Sequence, residues 1–137
     1  MTDMEIGAFP FTIKKGKLLV MIITNCSGRA WILPKGQPES DKGDAQVAHL
    51  EAFEEAGVIG KQSLSRKHRN FKRKDGGFLS VYPLKIHKIL GTWPEKNTRK
   101  RALVSAKEAL SRVNRKEHVN AIIYFSKPEN IKRLVKQ

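Results

Sequence analysis

Three glutamates, Glu51, Glu54 and Glu55, lie within five positions of the segment GQPESDKGDAQVAHLEAFEEAGV (residues 36–58). On a helix they fall within an arc of about 100°, so their carboxylates share one face. Like charges at these spacings repel each other. No Lys or Arg occurs between Ala45 and Val58 to offset them, although the chain's formal net charge is +14. Such a face is commonly just solvated, but uncompensated carboxylate oxygens also suit a hard cation such as Mg²⁺.

The residues around these carboxylates predict the helix that carries them. Asp44 is a suitable N-cap and Gly57 a suitable residue beyond the C-terminus, so we expect a helix from about residue 45 to residue 56. The opposite face is mostly apolar, and we expect it to pack on a sheet with Phe53 as its anchor. Its members are Ala45, His49, Ala52, Phe53 and Ala56. The carboxylates are then expected to point away from the packing side.

The residues before this helix predict the centre of a sheet. Residues 6–25 are expected to form two strands around a Lys-Lys-Gly-Lys turn. The run LLVMIIT is uninterrupted and rich in β-branched residues, which predicts a central strand buried on both faces. WILP (residues 31–34) predicts a further short strand that leads into the loop before the helix.

The residues after the helix predict the rest of an α/β fold. An Asp-Gly-Gly turn predicts a hairpin between residues 63–71 and 78–90, in which Pro83 indicates an edge or a bulge. A short strand is expected at 101–104, a helix to about Val113, and a helical tail that breaks near Pro128. The whole chain, residues 1–137, is therefore predicted to be one domain with a mixed central sheet covered on both faces.

Charge is the most informative bulk property. The chain has 27 Lys and Arg against 13 Asp and Glu, with a sequence pI of about 10.2. This excess favours polyanionic partners such as nucleic acid, nucleotides or inositol polyphosphates. The single cysteine, Cys26, excludes an internal disulfide framework. No apolar run is long enough to span a bilayer, and the acidic N-terminus does not resemble a secretory signal. We expect a cytoplasmic protein, a monomer with no membrane partner.

The glutamate segment resembles the signature of the Nudix hydrolases. That signature is Gly, five residues, Glu, seven residues, then Arg-Glu-U-x-Glu-Glu-x-Gly-U, where U is aliphatic. Two positions depart from it, since Lys42 replaces the first Glu and Leu50 replaces the Arg. Trp93 and the Arg99–Arg101 segment further resemble the branch that hydrolyses diadenosine and diphosphoinositol polyphosphates. The positions in register with the signature are Gly36, Glu51, Glu54, Glu55, Gly57 and Val58.

The resemblance implies a Nudix-type α/β/α sandwich and an Mg²⁺-dependent or Mn²⁺-dependent pyrophosphohydrolase. Its substrate would be a phosphorylated small molecule: a nucleoside or dinucleoside polyphosphate, or an inositol pyrophosphate. Glu51, Glu54 and Glu55 would hold the metal with a main-chain carbonyl near Lys35–Gly36, and Glu54 or Glu55 would act on the attacking water. The residues expected to bind the substrate are Arg29, Lys35, Arg69, Arg73 and Arg101.

Two other functions remain open from the sequence. The chain's positive charge also suits hydrolysis at the 5′ end of RNA, although no ordered array of aromatic residues for single-strand binding is evident. Lys42 and Leu50 instead favour a catalytically weak module that binds nucleotide or nucleic acid. His49, His87 and His118 show no metal-ligand spacing, which favours structural or surface roles.

Overall fold

Two apolar strands form the centre of the sheet. The computed structural model describes residues 3–61 and 68–135. In it, β1 (Met4–Lys14) and β2 (Lys17–Thr24) pair antiparallel across a tight turn at Lys15 and Gly16, which both have positive φ. Residues 20–24 are buried, and alternate side chains of β2 enter two different apolar clusters. The predicted hairpin and the strand buried on both faces are therefore confirmed.

Six further strands complete a mixed sheet within the described residues. The order is β3-β2-β1-β7-β5, while β4 pairs with β1, β6 with β7 and β8 with β2. Only the β1–β7 pairing is parallel among these. The predicted mixed sheet is thus confirmed. The bounds are β3 Trp31–Ile32, β4 Lys35–Gly36, β5 Val58–Lys61, β6 Arg69–Lys72, β7 Phe78–Ile89 and β8 Arg101–Ser105.

The chain bends where one strand was predicted for WILP. β3 pairs with β2, whereas β4 crosses to β1. Between them the backbone N–H of Leu33 donates to His118 Nδ1 at 3.0 Å, and the carbonyl of Pro34 accepts from Ala8 N at 2.9 Å. These bonds end the pairing with β2, because Leu33 N–H is directed to a side chain and Pro34 has no N–H to donate.

β7 is an interior strand, and its alternation is as predicted. Leu79 and Val81 belong to one apolar cluster, while Tyr82, Leu84 and Ile86 contact the other. The predicted β6–β7 hairpin is also present, although residues 63–67 of its first strand lie outside the described residues. Among the described residues, pairing with β6 ends at Val81 and pairing with β5 begins at Lys85, so Pro83 lies at a local gap.

Four helices lie on the two faces of the sheet in the described part of the chain. Ser105 caps α2 by accepting a hydrogen bond from Glu108 N at 3.1 Å, and the tail breaks before Pro128 as predicted. Gly57 is left-handed (φ 67°) at the end of α1, also as predicted. The predicted N-cap was wrong by one position: Gly43 is the cap and Asp44 begins the helix. The bounds are α1 Asp44–Ala56, α2 Ala106–Arg112, α3 Lys116–Ser126 and α4 Pro128–Val135.

Separate apolar clusters join the helices to each face. Val47, Ala48, Ala52 and Ala56 of α1 pack on one face, whereas α2, α3 and α4 cover the other around Phe125. The predicted sandwich is confirmed. Phe53 is not the anchor that we expected, because it is only half-buried and lies outside the cluster. Among residues 3–61 and 68–135, no helix is long and apolar enough to cross a membrane.

Candidate active site

The acidic face of α1 is turned towards the sheet at Glu55. Glu55 as a whole is 5% exposed, so the prediction that all three carboxylates point away from the packing side was wrong. Its Oε1 accepts a hydrogen bond from the backbone N–H of Lys35 at 3.1 Å. Its Oε2 lies 3.5 Å from Nη2 of Arg99. Glu51 and Glu54 are half-buried beside it. One hydrogen-bond donor and one positively charged group, from distant parts of the chain, therefore make the burial of Glu55 tolerable.

Gly36 lets β4 approach the same face closely. A Cβ added at Gly36 would overlap the carboxylate of Glu51. The absence of a side chain therefore brings the backbone of Lys35–Gly36 against both carboxylates, since Lys35 N–H already contacts Glu55. This placement agrees with the spacing between Gly36 and the glutamates from which the site was predicted.

Glu51 and Glu55 lie within hydrogen-bonding range of each other. Burial raises the pKa of Glu55 to about 8, and its hydrogen bond to Glu51 adds to the effect, while the charge of Arg99 opposes it. Burial also raises the pKa of Glu51, and the charge of Glu54 contributes. The pair therefore holds a proton near neutral pH when no cation is bound, because two adjacent carboxylates, one of them buried, cannot both ionise easily.

The donor set fits a hard divalent cation. Among residues 3–61 and 68–135, no three His, Cys, Asp or Glu side chains form a ready cluster for a metal. Glu51 and Glu55 form a close pair, and Glu54 is near enough to influence Glu51 electrostatically, so cation binding by all three glutamates stays a prediction. Two carboxylates beside a half-buried main chain suit Mg²⁺, which usually keeps several waters and takes one or two carboxylates.

The segment before β8 wraps the C-terminal end of α1. Trp93 Nε1 donates to the carbonyl of Glu55 at 3.2 Å, and the backbone N–H of Glu95 donates to the carbonyl of Glu54 at 3.0 Å. Arg101 Nη1 donates to the carbonyl of Ala56 at 2.9 Å. Three of the carbonyls that a helix leaves unpaired at its end are thus satisfied. We call residues 91–101 the clasp. The sequence singled out its Trp and Arg residues but not this role.

A charged cleft of about 830 Å³ opens beside β4. Lys35 contributes its backbone N–H to Glu55 and its side chain to the cleft, where Nζ pairs with Glu5. Glu5 Oε1 also lies 3.2 Å from Nη1 of Arg73. Glu5, Asp75 and Glu117 are the acidic residues of the lining. The cations of the lining outnumber them: Lys35, Arg73, Lys74, Arg115 and Lys116.

The structure brings two of the five predicted substrate-binding residues into this cleft, Lys35 and Arg73. Arg29 is exposed on the β2–β3 loop and Arg69 lies 4.3 Å from the centre of the Tyr124 ring, both outside the cleft lining. Arg101 stacks on Trp93 at 3.8 Å and bonds two backbone carbonyls, which gives it a structural role. Substrate contacts by these three stay untested predictions. Sequence patterns gave no signal for Arg115 and Lys116, which are the N-cap and the first residue of α3.

The sequence is similar to several plant Nudix hydrolases. It is 32% identical over 112 residues to the chloroplastic Nudix hydrolase 21 of Arabidopsis thaliana, covering 77% of this chain and 57% of that protein. It is 33% identical over 107 residues to the mitochondrial Nudix hydrolase 16 of the same plant, covering 71% and 59%. The chain thus spans less than two thirds of the length of these relatives. No family model matches it.

The fold is similar to solved Nudix structures. A binary complex of the C. elegans Ap4A hydrolase superposes with a TM-score of 0.67 at 16% identity, covering 98% of each chain. The Nudix hydrolase RenU of M. smegmatis gives a TM-score of 0.68 at 13% identity, covering 98% of this chain and 90% of that one. The Nudix domain of Shewanella oneidensis NrtR, complexed with ADP-ribose, gives 0.61 at 13%, covering 98% and 89%. At these identities the likeness concerns the fold alone.

Proposed function

The chain belongs to the Nudix superfamily, and we propose that it is a divalent-cation-dependent pyrophosphohydrolase. Its substrate would be a nucleoside or dinucleoside polyphosphate or an inositol pyrophosphate. The observation that carries the proposal is the close pair of the half-buried Glu51 and the buried Glu55, placed against the Gly36 backbone and next to a cation-lined cleft. A carboxylate pair and a cleft with more cationic than acidic lining residues, both next to β4, suit a bond between two phosphates.

Glu51 and Glu55 would hold Mg²⁺ or Mn²⁺ together with main-chain oxygen at Lys35–Gly36. A bound divalent cation would polarise the phosphoryl group and lower the pKa of a bound water. The proton that the pair holds at neutral pH has to leave when the cation binds, so binding releases protons. The resemblance gives the role of orienting or deprotonating the attacking water to Glu54 or Glu55, and we assign it to Glu54, which is half-buried beside the pair.

The cleft would bind the remaining phosphates of the substrate. Arg73 and Arg115 can each form two parallel hydrogen bonds to one phosphate, while Lys35, Lys74 and Lys116 act as point charges. Lys35 is paired with Glu5 in this structure, so a phosphate would compete with that carboxylate for its ammonium group. Lys35 also lies in β4 between the two regions and links them directly.

The test is a panel of diphosphate compounds assayed with Mg²⁺ and with Mn²⁺. The panel contains nucleoside triphosphates, dinucleoside polyphosphates, ADP-ribose and inositol pyrophosphates, with products separated by ion-exchange chromatography. We expect turnover that EDTA abolishes and that Glu51→Gln lowers at least about 100-fold, because the variant removes a cation-binding charge. Glu108→Gln is the matched control. It changes a glutamate on α2 that pairs with Arg112, and it should leave turnover within about twofold.

Four outcomes would contradict the proposal, three of them its chemistry and the fourth its substrate. Turnover that survives EDTA would exclude the cation, and full activity in Glu51→Gln would place the chemistry elsewhere. Tight nucleotide binding with no turnover of any panel compound would indicate a binding module instead. Activity confined to triphosphorylated RNA would keep the chemistry and replace the small-molecule substrate.

A further inference from the structure

The position at which the Nudix signature has an arginine holds an uncharged side chain in this protein. Leu50 occupies it and lines a groove with the apolar residues Phe53, Val58 and Ile59, while Asp41, Lys42, Gln46 and His49 supply the polar part of the lining. Arginine at that position would be next to Glu51 in sequence and could hold the carboxylates in place, whereas leucine can do neither. If the site binds a divalent cation, another group has to orient its carboxylates.

Arg99 in the clasp reaches these carboxylates from a different element. Its Nη2 lies 3.5 Å from Glu55 Oε2, and the two side chains are 9% and 6% exposed. A contact between two such buried charged groups differs from a surface ion pair, because neither side chain is free to move into solvent. It also differs from the pairs that Arg112 and Lys42 form with exposed acids on this protein.

The guanidinium of Arg99 is fixed by its other nitrogens. Nε donates to Glu95 Oε1 at 2.7 Å, and Nη1 donates to the backbone carbonyl of Thr24 in β2 at 3.1 Å. The planar fork therefore presents Nη2 to Glu55 with its position determined by the sheet and by the clasp. Lysine has one ammonium group and could not engage all three partners in this geometry.

The carboxylate of Glu55 is consequently oriented at both oxygens. The backbone N–H of Lys35 donates a hydrogen bond to Oε1 and the guanidinium of Arg99 forms an ion pair with Oε2 at 3.5 Å, while each oxygen keeps a lone pair for a cation. The clasp is itself attached to α1 through Trp93 and the backbone of Glu95, so Arg99 and Glu55 are parts of one connected unit.

We propose that Arg99 takes the place of the missing signature arginine and is the positioning residue that holds the Glu55 carboxylate for a divalent cation. This inference rests on the proposed function. The alternative is that Arg99 is only a counter-ion that neutralises the buried carboxylate of Glu55. In that case a divalent cation would compete with Arg99 for the same carboxylate. The two differ in sign: loss of a positioning group weakens cation binding, whereas loss of a competing charge strengthens it.

The experiment measures Mn²⁺ binding by electron paramagnetic resonance without substrate. For Arg99→Gln we expect the dissociation constant to rise about 10-fold to 100-fold, as for other partners of metal-binding side chains. Adding Leu50→Arg to that variant should restore the affinity for Mn²⁺ to within about threefold of that of the original chain, because it puts an arginine side chain back at the signature position. Arg112→Gln, which breaks an Arg–Glu pair on α2, is the matched control and should leave affinity unchanged.

Unchanged or tighter Mn²⁺ binding in Arg99→Gln would overturn the proposal, as would a double variant that recovers nothing. If Arg99→Gln does not fold, Arg99→Lys keeps the charge without the fork and should still weaken binding several-fold. If the Arg99→Lys variant binds Mn²⁺ as tightly as the original chain, the positioning role of Arg99 is wrong.

Turnover of the diphosphate panel is followed in parallel so that the two proposals can fail separately. Mn²⁺ binding that depends on Arg99 without any turnover would sink the proposed function and leave the role of Arg99 standing. Turnover with Mn²⁺ affinity indifferent to Arg99 would do the reverse. A wild-type chain that binds no Mn²⁺ would overturn both.

Discussion

The carboxyl group of Glu55 has an environment that suits either a proton or a cation. Burial and the adjacent Glu51 disfavour its charge, whereas Arg99 and the Lys35 N–H favour it. Burial and Glu51 have the larger effect, since the pKa of Glu55 is raised from 4.5 to about 8. A carboxyl group that stays protonated in this way is stable without metal and can release its proton when a divalent cation binds.

This balance predicts how stability depends on pH in the metal-free chain. The pKa of Glu55 is higher in the folded than in the unfolded chain, so its contribution to stability is complete below pH 4.5 and is lost as the pH rises to about 8. We expect the melting temperature measured by circular dichroism in EDTA to fall across this range. Glu55→Gln, which stays neutral at every pH, should flatten the fall.

Divalent cations should act in the opposite direction on the same residue. Mg²⁺ or Mn²⁺ favours the ionised carboxylate, so either should raise the melting temperature more at about pH 8 than at about pH 6. A pH profile of Glu55→Gln parallel to that of the original chain would show that Glu55 is not the titrating group.

The spacing of the glutamates could be predicted from the sequence, but the direction of their face could not. A period of 3.6 residues determines which side chains share a face, and Glu51 and Glu55 do come together as expected. What covers that face depends on β4 and on the clasp, which are distant in sequence. Arg99 is 44 residues beyond Glu55 (99 − 55), and no local pattern connects them. The buried position of Glu55 was therefore missed.

At the scale of elements, the site depends on how α1 ends. The clasp supplies donors to the last carbonyls of the helix, and Gly57 turns the chain into β5 with φ 67°. A Cβ at Gly57 would lie 2.7 Å from Arg101 Nη1 and 2.8 Å from Cδ2 of Trp93. The glycine is thus required twice, once for its left-handed backbone and once for the close approach of the clasp.

This double requirement can be separated by two alanine substitutions. Gly28→Ala places a Cβ at φ 73° with no atom within 4 Å, so it should cost only the strain of a left-handed residue, about 1 kcal/mol. Gly57→Ala has the same strain and also displaces Arg101 from the carbonyl of Ala56, so we expect a loss of about 3 kcal/mol. Urea unfolding followed by Trp fluorescence gives both values. Equal losses would mean that the clasp adapts without cost.

Most elements could be predicted from local patterns, and the exceptions have long-range causes. The run LLVMIIT and the break at Pro128 gave β2, α3 and α4 nearly as observed. The strand predicted for WILP ends at Ile32, because the backbone N–H of Leu33 is hydrogen-bonded to His118, which lies 85 residues away. Phe53 is left out of the core because Val47 and Ala48 supply the packing face of α1. Helix periodicity places Phe53 near that face, but the contacts with the sheet determine which side chains of α1 are buried.

At the scale of the whole molecule, the 27 Lys and Arg residues outnumber the 13 Asp and Glu residues, but they do not all lie where they could bind a substrate. Five cations line the cleft beside β4, while others, such as Lys14 and Lys17, lie exposed at the β1–β2 turn. Charges inside a cleft attract an anionic ligand more effectively than charges spread over the surface, because the low-dielectric walls concentrate the field. The cleft should therefore dominate the capture of a polyphosphate substrate.

This expectation can be tested by the dependence of turnover on salt. When NaCl rises from about 50 to about 300 mM, kcat/KM for the preferred panel substrate should fall about tenfold with a smaller change in kcat, since screening acts on association. Replacing two exposed cleft cations, in Lys74→Gln/Lys116→Gln, should lower kcat/KM at low salt and reduce this salt dependence. Lys14→Gln/Lys17→Gln changes the net charge equally at the β1–β2 turn and is the matched control. If both double variants lost the same amount, net charge rather than the cleft would guide the substrate, and the phosphate-binding role of the cleft would be wrong.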